Sequence, residues 1–84
     1  MPYIEMKDRK FYDDVLQSLG TCCSPGHLNY VITKLCKDFI YHEHRYDKFN
    51  EVIGVLECAK QEFYRRMVAP YEDTKIEENG DVYE

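Results

Sequence analysis

Eighty-four residues, 44% of them hydrophobic and with eight Tyr and four Phe, are the composition of one small folded domain and not of a disordered chain. The formal charge of −5 lies wholly at the end: ten Lys/Arg balance ten Asp/Glu through residue 70, and residues 71–84 set six acids against Lys75. A neutral body with an acidic end excludes the basic face of a duplex-binding protein, and no run approaches the ~18 apolar residues of a membrane span.

In chain order, "MPYIEMKDRKFYDD" lacks the apolar segment of a signal peptide. The four cysteines, at 22, 23, 36 and 58, are therefore expected as free thiols in a reducing cytoplasm. Phe11, Tyr12, Val15, Leu16 and Leu19 recur at helical spacing before Gly20, which predicts a first helix over 7–19. Ser24 and Pro25 are a cap and a first helical residue, and Leu28, Val31, Ile32, Leu35, Phe39 and Ile40 continue as an apolar stripe. The second helix is expected over 25–42.

"HEHRYDK" breaks the pattern as a loop, and Asp47 or Asn50 can cap a third helix. Its stripe is Phe49, Val52, Ile53, Leu56, Ala59, Phe63 and Met67, and Pro70 is expected to end it. Such a helix, about 20 residues long, spans roughly 30 Å. Beyond it, Asn79-Gly80 between "TKIEE" and "DVYE" signals a two-residue hairpin. A lone ribbon of this kind needs support from the helices or from another subunit. An acidic extended tail is the alternative for residues 71–84.

The fold expected is thus mainly all-α: an antiparallel arrangement of three helices over 1–70, the third long, with a small C-terminal hairpin or tail over 71–84. A chain this short buries only about 60% of its unfolded surface, so the fold is expected to be oligomeric. Gly54 interrupts the third helix, where Gly costs roughly 1 kcal/mol against Ala. With Val55 and Cys58 it forms a smooth strip open to another helix, which makes these three residues a candidate subunit interface.

Catalytic apparatus is not legible. Cys22-Cys23 are adjacent and no C-x2-C pair accompanies His27, His42 and His44, so no metal is expected. Cys36 and Cys58 fall on or beside apolar stripes, where Cys acts as a small hydrophobe. Asp13-Asp14 point to different sides of a helix, and the four glycines make no phosphate loop. Neither an enzyme nor a cofactor is expected.

What remains is two cation–aromatic faces. Lys60, Tyr64, Arg65 and Arg66 gather on the third helix, and Tyr30 and Lys34, with His27, Lys37 and Tyr41, on the second. Such faces can clasp an anion and stack a ring. They can equally be solvated and paired to Glu57, Glu62, Asp38 or the acidic end.

"MPYI", "SPGHLNYVITKL" at 24–35 and "NEVIGVLECAKQEFYRRMVAPYEDTKIEENGDVY" at 50–83 resemble a small uncharacterised family encoded by bacteriophages and prophages. The resemblance covers most of the chain apart from the first helix and the loop near 42–48. It implies a viral origin and action in the cytoplasm of an infected bacterium, and no catalytic role. The third helix, with its "AK…R…P" ending, is also similar to small helical phage proteins that oligomerise and sequester cyclic-nucleotide immune signals. The expectation is a non-enzymatic homo-oligomer holding a small nucleotide through Tyr30, Lys34, Lys60, Tyr64, Arg65 and Arg66. The rival is a protein-interaction module, inhibiting a host protein or adapting an assembly through its acidic end.

Overall fold

A computed structural model describes residues 4–20 and 24–83. Every regular element among them is helical, as the apolar spacing predicts. The chain divides into two units, Met1–Glu43 and His44–Glu84. None of the helices described is long and apolar enough to cross a membrane.

In the first unit, α1 runs Met6–Leu19 and α2 runs Pro25–Phe39. The Glu5 carbonyl accepts from the amides of Asp8 and Arg9 at 3.0 and 3.3 Å, and Arg9 Nε donates to the Ile4 carbonyl at 3.2 Å. These bonds satisfy the entry of α1 without a side-chain cap. Gly20 ends it at φ 73°, a conformation that favours glycine. Ser24 does cap α2: its Oγ accepts from the His27 amide at 3.3 Å, with Pro25 opening the first turn. The helix stops at Phe39, short of the expected residue 42. Tyr41 and Glu43 instead donate to the carbonyls of Asp38 and Ile40 in successive tight turns.

The second unit departs further from expectation. Helix α3 spans Tyr46–Phe63 and starts from extended Arg45, so neither Asp47 nor Asn50 is its cap. Asp47 lies in the first turn, where its carboxylate suits the helix dipole, and pairs with Arg45 at 3.3 Å. Nor does the helix end at Pro70. It passes through a π-helical turn, Tyr64–Val68, into α4, Ala69–Asn79.

The proline itself explains that turn. Pro70 has no amide hydrogen to give, and in a regular helix its ring would strike the carbonyl of Arg66. Winding one residue wider moves that carbonyl away, and Ala69 donates to Tyr64 five residues back. The backbone therefore continues where a simple proline rule stops it.

Residues 76–83 form no hairpin. Asn79 is the last residue of α4, and Gly80 is its C-cap at φ 88°, donating to the Ile76 carbonyl at 2.8 Å. The same Asn-Gly pair that permits a turn also permits a helix stop. Glu77, Glu78 and Asp81 would crowd one hairpin, whereas in the helix Lys75 Nζ reaches Glu78 at 3.2 Å. Asp81 then accepts from the Tyr83 amide at 2.8 Å, which turns the chain after the helix.

The apolar stripes are present but uncovered, since no described residue is buried. In the second unit Phe49, Leu56, Phe63, Met67 and Tyr71 remain 38–62% exposed. Phe63, Met67 and Tyr71 follow at four-residue steps, each of which overshoots a full α-helical turn by about 40°. Two such steps still leave Phe63, Met67 and Tyr71 on one side of the helix, so the stripe does not depend on the π turn. Tyr64 and Glu72 show the winding directly: eight residues apart, their side chains meet.

Candidate functional site

The cation–aromatic residues of the third helix come together around the π turn, each with an acidic neighbour. Lys60 Nζ lies 3.3 Å from Glu57, and Gln61 donates to the same carboxylate at 3.1 Å. Glu62 sits between the two arginines: one oxygen takes Arg65 at 3.2 Å and the other takes Arg66 at 3.5 Å. The Tyr64 hydroxyl donates to Glu72 Oε1 at 2.5 Å. Spacings of three and four residues along one helix are what bring these groups into reach.

Protonation follows from those contacts. The Gln61 hydrogen bond, then the bond and charge of Lys60, hold the Glu57 carboxyl below its ordinary range. Glu72, by accepting from the phenol and by its own charge, holds Tyr64 above the ordinary tyrosine value. All of these groups stand in water, so each pair contributes little to stability. Its effect on recognition is larger, because an incoming phosphate must displace a carboxylate already in place.

The second helix presents the opposite case. Tyr30, Lys34 and Lys37 fall at steps of four and three along α2, on the side away from Leu28, Val31, Ile32 and Leu35. Lys34 and Lys37 make no ion pair among the described residues, and Asp38 is not drawn to either. Tyr30 is 65% exposed. Tyr41 lies just past the helix end, its ring edge-on to His42 at 4.9 Å. Two ammonium groups one turn apart, beside an open phenol ring, can accept a phosphate and stack a base.

The other candidates stand open. Gly54 has nothing within 4 Å of the place a Cβ would occupy, and Val55 and Cys58 are exposed. Cys58 is thus not the buried small hydrophobe expected, while Cys36 is half-buried. Cys22-Cys23 lie outside the described residues. No group of three metal-ligating side chains occurs among the described residues. A shallow hollow lined by Ile4, Lys7, Phe11 and Tyr12 includes none of the candidate residues.

Sequence reasoning placed Lys37 beside Lys34 and named Glu57 and Glu62 as partners open to the π-turn cations, at three- and four-residue spacing. It missed the contact of Glu72 with Tyr64, which depends on the wide turn.

Against known proteins, the model of a family described as "Domain of unknown function (DUF6899)" matches residues 1–82. Neither a curated protein nor a solved structure matches the chain.

Proposed function

The chain belongs to the DUF6899 family, and from its own side chains we propose that it is a non-enzymatic binding module for a small anionic ligand, held on α2. One observation carries the reading: Lys34 and Lys37 are cations one turn apart with no ion-pair partner among the described residues, beside exposed Tyr30. Lys34 and Lys37 bind phosphate oxygens, and Tyr30 stacks on a ring. Lys60, Tyr64, Arg65 and Arg66 contribute as a secondary surface, reached only when Glu57, Glu62 and Glu72 yield.

Copies of the chain associate in this reading, with Gly54, Val55 and Cys58 open to a neighbour. The likeness to phage proteins makes a nucleotide signal of the infected bacterium the ligand class to try first. Calorimetry of the full chain against cyclic dinucleotides and ADP-ribose-type compounds tests it. Heat of binding that vanishes in Lys34→Glu supports the proposal; no heat with any of them refutes it.

A further inference from the structure

We infer that the continuous helix Tyr46–Asn79 is a self-pairing surface, on which a second copy of this chain lies antiparallel with Phe63 near the two-fold axis. This deepens the association part of the proposed function and is independent of any ligand.

The surface is a single apolar seam of Phe49, Ile53, Leu56, Phe63, Met67 and Tyr71, exposed throughout. The helix carrying it is roughly 50 Å long at 1.5 Å per residue. A solvated helix needs no such continuity, and steps of three, four and seven residues carry the seam from Phe49 through the π turn and past Pro70 to Tyr71. If each of the six side chains contributes about 100 Å², two copies bury on the order of 1,200 Å², the lower bound of a specific interface.

Charge selects the partner and its direction. Lys48 flanks the seam near its start and Glu78 flanks it near its end, with Phe63 midway between them in sequence. The rest of α4 adds Glu72, Asp73 and Glu77 against Lys75, so its end is strongly acidic. Parallel copies would set two acidic ends side by side. Antiparallel copies bring Glu78 of each chain to Lys48 of the other, and a two-fold repeats the contact. Both residues have local partners within their own helix, Glu51 for Lys48 at 3.4 Å and Lys75 for Glu78 at 3.2 Å, which are exposed enough to share.

Sedimentation equilibrium of the full chain, at concentrations up to about 100 µM, provides the test. The wild type is expected to sediment above its 10.1 kDa monomer mass, and Phe63→Glu to weaken association by about a hundredfold. Lys48→Glu alone and Glu78→Lys alone should each weaken it by about tenfold, because two symmetric contacts are lost together. The double exchange Lys48→Glu/Glu78→Lys should restore wild-type association. A monomeric wild type overturns the inference, as does a double exchange no better than the single ones. The charge variants decide the matter even if Phe63→Glu unfolds, and none of these measurements involves the α2 ligand.

Discussion

Two clusters of Lys or Arg with Tyr, similar in composition, differ in what surrounds them. Around the π turn, Lys60, Arg65 and Arg66 each lie within 3.5 Å of a glutamate on their own helix, and Tyr64 is engaged by Glu72. On α2, Lys34 and Lys37 have no such partner among the described residues. The difference follows from spacing. Glu57 and Glu62 precede their cations by three or four residues, the favoured order, whereas on α2 Asp38 follows Lys34 by four and makes no ion pair with it among the described residues. The lesson is that available charge, and not the number of cations, marks an anion site. Arginine-rich segments lose their claim when glutamates share the same turns.

The contrast can be broken most forcefully at α2. Lys34→Glu/Lys37→Glu should lower anion affinity by about a hundredfold in calorimetry, since two charge-assisted bonds become repulsive. Arg65→Gln/Arg66→Gln should change it by about twofold at most, as those guanidiniums are already occupied. Equal losses in both variants would erase the distinction.

A second variant separates the winding of the π turn from the chemistry near it. Pro70→Ala restores an amide donor and removes the ring clash, so the segment should become regular α-helix. Thermal stability is expected to rise by about 1 kcal/mol, less than the full proline penalty because the wide turn already absorbs much of it. Association should change little, because in a regular helix Met67 falls about five full turns from Phe49 and stays on the same side. Denaturation melts and sedimentation on the same preparation check both.

Smaller effects sharpen the comparison. Glu62→Gln releases charge on Arg65 and Arg66 and should raise pyrophosphate binding at the π turn about threefold, within reach of an NMR titration. Smallest is the response of Tyr64 to alkali. Its folded pKa is raised above its unfolded value, so its contribution is fully present below the ordinary tyrosine pKa of about 10 and is lost as pH rises through the folded value. Helicity of α4 should decline slightly over that window by circular dichroism, and the decline should be absent in Tyr64→Phe.

Much of the helical framework was legible in the sequence. Leu19-Gly20 and Ser24-Pro25 mark helix ends by backbone chemistry that acts within one turn, and α1 and the start of α2 lie where those signals put them. The second unit was misread where two local rules had more than one solution. Pro70 forbids a regular helix but permits a π turn, and four-residue spacing through Phe63, Met67 and Tyr71 suits either winding. Asn79-Gly80 serves a hairpin or a helix stop, and flanking acids with Lys75 favour the helix. At the candidate site, residue types and the Glu57 and Glu62 partners were legible, but the contact of Tyr64 with Glu72 was not, because the two meet only after the helix rewinds.

The central claim is that α2 takes the anion first, ahead of the π turn with its glutamates in place. Amide-resolved NMR of the uniformly labelled chain, titrated with a cyclic dinucleotide, reads this most directly. Saturable shifts centred on Tyr30, Lys34 and Lys37, with Lys60–Arg66 nearly still, are the predicted result. Shifts centred on Lys60–Arg66, or none in either region, would contradict it.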